Sequence, residues 1–197
     1  MHIRLIGSLL LTLTLITGCS MTHGDPKNPK KNPHPIKRYE VIATADAPGP
    51  WDSVGGTVFF DVINVDCVPQ ASFTGGRNVP NTGYDIEMIR MDEKTWKGYF
   101  YRDDLQGEDY FGQGICHWDA TGVTPVFTVH GRAFGAATWV EDALHKGPQV
   151  DYFKKSDFID RTPTPYGALD FSAINPDYIK HPDAFFPIMA TVKEATP

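Results

Sequence analysis

Apolar and polar residues alternate along several short stretches of the chain between residues 39 and 131. The clearest stretches are 85–91 and 95–101, which a polar turn at 92–94 separates; alternation with a period of two predicts a β-hairpin here. Further strands are predicted at 39–45, 56–64, 113–120 and 125–131, the last two as a hairpin that turns at Thr121-Gly122. About six such strands between turn clusters predict a mainly β fold, an antiparallel β-sandwich.

The pattern changes after residue 136. A spacing of four between apolar residues such as Trp139 and Ala143, followed by Gly147-Pro148, predicts one short helix at 137–146. From 147 to 197, aromatic residues are interleaved with prolines and no regular period persists. This composition predicts an irregular C-terminal wrap that packs its aromatics over the sheet. The alternative is that part of it stays exposed as a contact surface.

The N-terminal segment combines a charged start with an apolar run from Leu5 through Ile16, which is the pattern of a secretory signal. Directly after the run, Ile16-Thr17-Gly18-Cys19 resembles the bacterial lipobox. The resemblance implies that residues 1–18 are a lipoprotein signal peptide and that Cys19 carries diacylglycerol and a further acyl chain such as palmitate. Together with Ser20, it implies the outer membrane of a Gram-negative bacterium, with the domain facing the periplasm. The alternative is an ordinary signal peptide with an incidental cysteine.

Residues 19–36 contain four prolines separated mainly by Lys and Asn. This composition predicts an extended, polyproline-like tether that contributes nothing to a core. At about 3.1 Å per residue, the tether would hold the domain some 50 Å from the membrane. Residues 37–197 are long enough for a single domain that includes the C-terminal extension.

Charge is divided unevenly along the chain. Residues 20–38 carry five basic groups and one acid, whereas Tyr39 to Pro197 carry 12 basic and 23 acidic residues, a net charge of −11. A basic tether suits an anionic membrane surface. An acidic body disfavours nucleic acid and favours a basic protein partner or a cation. The alternative is that the charge only keeps the domain soluble.

With Cys19 lipidated, Cys67 and Cys116 remain, the number needed for one disulfide in an oxidising compartment. The alternative is two free buried thiols. Neither cysteine has a Cys-x-x-Cys or paired-histidine spacing, so no metal site is expected on them. No cofactor is expected apart from the covalent lipid.

Linear catalytic motifs are missing from the sequence: it contains no Gly-x-Ser-x-Gly, His-Glu-x-x-His, Walker or dinucleotide-binding pattern. We therefore predict a protein that is not an enzyme. The exception to test is the group His117, Asp119 and His130, which the predicted second hairpin would bring together as an acid/base or metal site. The simpler interpretation is that these three residues form the wet face of a sheet.

An acidic loop between predicted strands holds Asp103, Asp104, Glu108, Asp109 and Tyr110. Its acids lack the spacing of an EF-hand calcium loop. Because loops on a rigid scaffold often carry recognition, these five residues are the candidate contacts for a basic partner.

The layout of the chain resembles that of periplasmic immunity lipoproteins: a lipobox, a basic tether, an acidic β domain and one disulfide. The resemblance implies a lipid-anchored binding protein that neutralises a protein effector, with the acidic loop and the C-terminal region covering the effector. Two alternatives remain: an accessory subunit of an envelope or secretion assembly, and a small periplasmic enzyme or metal-binding protein that uses the histidine group.

Overall fold

The computed structural model describes residues 23–196; the predicted signal peptide, Cys19 and Ser20 lie outside the described residues. The described chain forms nine strands, which are β1 Arg38–Ala45, β2 Ser53–Val62, β3 Asn81–Arg90, β4 Thr95–Tyr101, β5 Trp118–Val129, β6 Arg132–Gly135, β7 Thr138–Trp139, β8 Gln149–Lys154 and β9 Phe185–Glu194. Its helices are α1 Val140–Lys146, α2 Lys155–Ile159 and α3 Pro176–Lys180. Among residues 23–196, no helix has the length and apolar character needed to cross a membrane.

All nine strands belong to one antiparallel sheet with the order β6-β5-β2-β3-β4-β1-β9-β8, and β7 pairs with β5. Strand β3 joins the two halves of the sheet, because its residues 81–87 pair with β2 and its residues 88–90 pair with β4. The sheet nearly closes on itself. The prediction of a mainly antiparallel β fold is confirmed, and the two halves of the sheet are continuous through β3. The predicted hairpin is the β3–β4 pair.

Aromatic side chains from both halves of the sheet fill its interior. The ring of Trp51, in the turn before β2, has its centroid 5.1 Å from Phe127, 5.3 Å from Phe134, 5.0 Å from Phe158 and 6.0 Å from Phe186. These four phenylalanines come from β5, β6, α2 and β9, and all are buried. Tilted and edge-to-face packing of this kind adds to the free energy of burial.

The two end strands, β6 and β8, are not neighbours in the hydrogen-bonded sheet. Residues 168–171 bridge them through the backbone: the Ala168 N–H donates to the Ala133 carbonyl on β6 at 2.7 Å, and Phe171 exchanges two hydrogen bonds of 2.9 Å with Tyr152 on β8. Side chains add to this connection. The ring of Phe134 on β6 lies 5.5 Å from that of Phe153 on β8. Arg132 on β6 donates to the Asp160 carboxylate, which follows α2, at 2.7 Å. The backbone of residues 168–171, aromatic packing and an ion pair therefore connect the two edges of the sheet.

The C-terminal region is more regular than its proline content predicts, because β9 is a central strand between β1 and β8. Its residues alternate between buried and less buried positions from Phe186 to Val192. Pro187 is tolerated because its carbonyl accepts from the Asp46 N–H, so its nitrogen faces the side where the β1 ladder has ended at Ala45. No ladder hydrogen bond is lost at this proline.

The predicted turn at Thr121-Gly122 is wrong, since β5 runs through both residues. Phe59 pairs with Gly122 and Phe60 pairs with Ala120, which leaves Thr121 as the extra residue of a β-bulge. A bulge and a turn both tolerate glycine, and β-branched residues on either side favour the strand.

The predicted helix is confirmed in part. It begins at Val140 rather than at residue 137, because Thr138 and Trp139 pair with β5 as β7. Trp139 has extended backbone angles and does not lie over Ala143. This places the indole on the outside of the sheet.

The disulfide between Cys67 and Cys116 is confirmed, with Cα atoms 5.3 Å apart. It ties the short 3-10 turn Val65–Cys67 after β2 to the segment that leads into β5. Both cysteines are buried in the core.

We expect the Cys67→Ala/Cys116→Ala variant to lose about 4 kcal/mol of unfolding free energy, because the disulfide restricts the unfolded chain across a separation of 49 residues. Urea unfolding measures the loss. Dithiothreitol should destabilise the wild-type chain equally and leave the variant unchanged. Equal unfolding midpoints for the oxidised wild type and the variant would contradict the expectation.

Asp151 lies on β8 opposite the buried Ile188, on the same face as Phe153. Burial in this row, together with repulsion from Asp170, raises the pKa of Asp151 to about 6. The ordinary aspartate value is 3.8. The folded state therefore holds this proton more tightly than the unfolded chain does. The stabilisation is fully present below about pH 4 and is lost as the pH rises through 6.

We expect Asp151→Asn to raise the thermal unfolding midpoint at pH 8 by about 2–4 °C, for an effect of order 1 kcal/mol, and to leave it unchanged at pH 4. Calorimetry of the variant and wild type across this pH range tests the prediction. The exposed Asp183→Asn variant is the control and should follow the wild type. A wild-type midpoint with the same pH dependence as Asp151→Asn would contradict it.

Candidate functional site

A groove of about 390 Å³ lies on the outer face of the sheet, where β2, β3, β5 and β7 meet. Its lining is mostly apolar with a few polar groups, a combination typical of ligand sites. The lining residues are Phe59, Asp61, Asn81, Thr82, Gly122, Thr124, Ala137, Thr138 and Trp139.

Two aromatic side chains bound the groove and are exposed to solvent. Trp139 is 65% exposed and Phe59 is 43% exposed. The short strand β7 holds Trp139 opposite Gly122, and the Phe59 side chain lies against the same glycine. Because Gly122 has no side chain, the space between the two rings stays open. Exposed tryptophan of this kind is typical of binding surfaces.

The polar end of the groove is built by the bulge in β5. Thr121, its extra residue, donates its hydroxyl to Oδ2 of Asp61 on β2. This hydrogen bond fixes the carboxylate and leaves its other oxygen without a partner among residues 23–196. Thr138 also borders the groove, but its side chain lies on the inner face of the sheet opposite the buried Val123; it is 3% exposed, and its hydroxyl finds no hydrogen-bond partner in the described chain. Unsatisfied buried hydroxyls are uncommon in proteins.

The predicted tether does not extend into solvent over the residues that the structure describes. Residues 23–37, which we name the strap, lie along the acidic loop 103–112. The Asn32 N–H donates to the Asp104 carbonyl at 2.7 Å, and the Gln106 N–H donates to the Lys30 carbonyl at 2.9 Å. Pro29 is buried. The prediction missed this packing because proline-rich composition does not show what the segment contacts.

Opposite charges hold the strap on the loop. Lys30 pairs with Glu108, and Lys31 pairs with Asp104 and lies 3.7 Å above the Tyr84 ring. Asp103 accepts hydrogen bonds from the backbone N–H groups at the end of the strap, at 3.0 Å for residue 36 and 2.9 Å for residue 37. Three of the four acids predicted to bind a partner, Asp103, Asp104 and Glu108, therefore bind the chain's own strap instead.

The remaining two predicted contact residues have structural roles. Asp109 Oδ1 accepts from the N–H of Gly112 at 2.6 Å and so caps the turn that follows it. Tyr110 is buried, and its hydroxyl accepts from the Trp118 indole at 2.9 Å. The structure thus places the acidic loop against the strap and the core rather than at a free surface.

The structure does not bring His117 and His130 together. They flank opposite ends of β5, so about 13 residues at about 3.3 Å each place them roughly 40 Å apart. His130 and Gly131 both have positive φ and form the turn between β5 and β6. Asp119 forms a two-point ion pair with Arg102, which also bonds Glu141. Among residues 23–196, no three metal-ligating side chains are grouped to hold an ion.

A second surface lies on the C-terminal region after β8. Its large apolar side chains are each more than 60% exposed, namely Ile159, Tyr166, Leu169, Ile174 and Ile179. Exposed apolar residues at this density are typical of protein contact surfaces. The C-terminal region therefore has two parts. Phe153, Phe158 and Phe186 fill the interior of the sheet, whereas the segment between α2 and β9 is largely exposed.

Sequence reasoning missed the groove. Phe59 and Asp61 fall at alternate positions of β2 and so share a face, which was a usable signal. Trp139 gave the opposite signal, because its spacing from Ala143 predicts a helical core position.

Comparisons of the chain with protein-family models, curated proteins and solved structures find no match.

We expect Asp103→Ala to release the end of the strap, because it removes the acceptor of two backbone N–H groups. Hydrogen exchange of a peptide that covers residues 30–37 should speed up about tenfold, which corresponds to a loss of about 1.4 kcal/mol. Asp103→Asn keeps an acceptor oxygen and should show a smaller effect. Unchanged exchange in Asp103→Ala would contradict the role of this carboxylate.

Proposed function

We propose that this protein is a lipid-anchored binding protein of the bacterial outer membrane, not an enzyme, and that it binds a protein partner in the manner of an immunity lipoprotein. The observation that carries the proposal is the groove with its two exposed aromatic walls. Tryptophan and other aromatic side chains at the centre of an interface supply much of the binding free energy. The resemblance of residues 16–19 to a lipobox supports the lipid anchor. The groove replaces the acidic loop as the candidate binding site.

The groove suits recognition better than catalysis. Its lining contains a single titratable side chain, Asp61, and no histidine, cysteine or serine. General acid–base or nucleophilic chemistry usually needs a second group within hydrogen-bond reach. The proposal therefore assigns the groove to binding.

The test is capture followed by a purified binding measurement. The full chain is immobilised and exposed to envelope and secreted fractions of the source bacterium, and each retained protein is then purified and its affinity measured. We expect the Phe59→Ala/Trp139→Ala variant to bind the purified partner at least tenfold more weakly. Phe73→Ala removes a fully exposed aromatic residue that does not line the groove, and it should bind as the wild type does.

An immunity role also predicts a cellular result. Periplasmic expression of the partner alone should arrest growth, and co-expression of this chain should restore it, whereas the groove variant should not. Retention of components of an envelope machine would instead favour the accessory-subunit function, for which the exposed C-terminal side chains are the supporting observation. If no purified protein binds, or if the groove variant binds normally, the proposal that the groove binds a protein partner is wrong.

A further inference from the structure

The chemistry of the groove limits the class of ligand that it can bind. The groove has aromatic walls along its length and a carboxylate, Asp61, at its polar end. Within residues 23–196, Asp61 bonds to the Thr121 hydroxyl and forms no ion pair. A ligand that matches both features has an apolar stem and a cationic tip. Lysine and arginine side chains have this form.

We propose that the groove takes a lysine or arginine side chain of a basic protein partner, with its methylenes between Trp139 and Phe59 and its charge on Asp61. This inference rests on the proposed function, because it names the partner's contact group at the same site. The indole face also attracts a cation directly.

The outer face around the groove is acidic. Phe59, Asp85 and Glu87 share the face of Asp61, since Phe59 pairs with Gly83, and Thr57, the partner of Asp85, donates to that carboxylate at 3.2 Å. Strands β2, β5 and β7 contain no lysine, arginine or histidine. In β3 the sole basic residue is Arg90, about 30 Å along the strand from Asn81. The field over this face therefore favours a cationic partner.

Two nearby cations do not cancel this field. Arg102 is matched by two carboxylates, Asp119 and Glu141. Lys27 of the strap lines the adjoining depression rather than the groove, and within the described residues it forms no ion pair with Asp61. Within residues 23–196, no basic side chain pairs with Asp61, the charged side chain that lines the groove.

The first experiment needs no identified partner. The ¹⁵N-labelled full chain in detergent micelles is titrated with the peptides acetyl-GGRGG-amide and acetyl-GGKGG-amide, and the Trp139 indole N–H resonance is followed. We expect saturable shifts with both peptides. Replacing the basic residue by norleucine or by acetyl-lysine should weaken binding about three- to tenfold, as for a partly exposed charge pair.

Matched variants separate the contribution of the Asp61 charge to binding from that of the aromatic side chains. Asp61→Asn keeps an acceptor for Thr121 and removes the charge, so it should reduce binding of the arginine peptide to that of the norleucine peptide. Asp183→Asn, which changes an exposed acid outside the groove, should have no effect. Equal binding of the arginine and norleucine peptides, or no shift with either, would overturn the inference. A shift of the same resonance by N-acetylglucosamine but not by the basic peptides would overturn it as well.

The two proposals fail differently. If a captured protein binds through Phe59 and Trp139, but Asp61→Asn and added salt leave its affinity unchanged, this inference is wrong and the proposed function stands. If basic peptides bind at Asp61 but no protein partner is found, the groove chemistry is right and the proposed function is wrong.

Discussion

The structure depends on filling the space inside a sheet that nearly closes. The antiparallel sheet has two edge strands, β6 and β8, which do not pair with each other but both hydrogen-bond to the backbone of residues 168–171. The ring of Trp51 lies against phenylalanines from β5, β6, α2 and β9, so one side chain contacts elements from both halves of the sheet. Because interiors are close-packed, removing such a ring leaves a cavity that its neighbours fill only in part. The strands that enclose this interior carry the groove on their outer face.

Charged segments of the chain also pair with each other. The basic strap and the acidic loop, which composition assigns to a membrane and to a partner, neutralise each other within the chain. Individually, such exposed pairs contribute little free energy. Their effect is to shift the accessible negative charge from the loop to the outer face of β2 and β3. The aromatic groove lies on that face.

Features encoded locally were predictable from the sequence. The β3–β4 hairpin follows from alternation on both sides of a polar turn, and the disulfide follows from two cysteines in an exported chain. Strand β9 was not predictable, because a proline such as Pro187 usually interrupts a central strand. It is compatible with β9 because the ladder with β1 ends at Ala45, which the sequence does not show. Trp139 was misplaced for a similar reason: pairing with Gly122, which is distant in the sequence, overrides its helical spacing. The groove depends on the non-local pairing of β7 with β5, which a local sequence pattern does not show.

The docked strap has a geometric consequence for a chain anchored through Cys19. Its first described residue, His23, contacts the carbonyl of Asp109 at 3.3 Å. Three residues lie between Cys19 and His23, so the four steps from one Cα to the next span about 14 Å at most. The anchored domain would then lie close to the lipid headgroups, on a linker far shorter than its prolines alone suggest. Asn81 borders both the groove and the depression beside Lys27, so the groove lies next to the strap that would lead to the anchor.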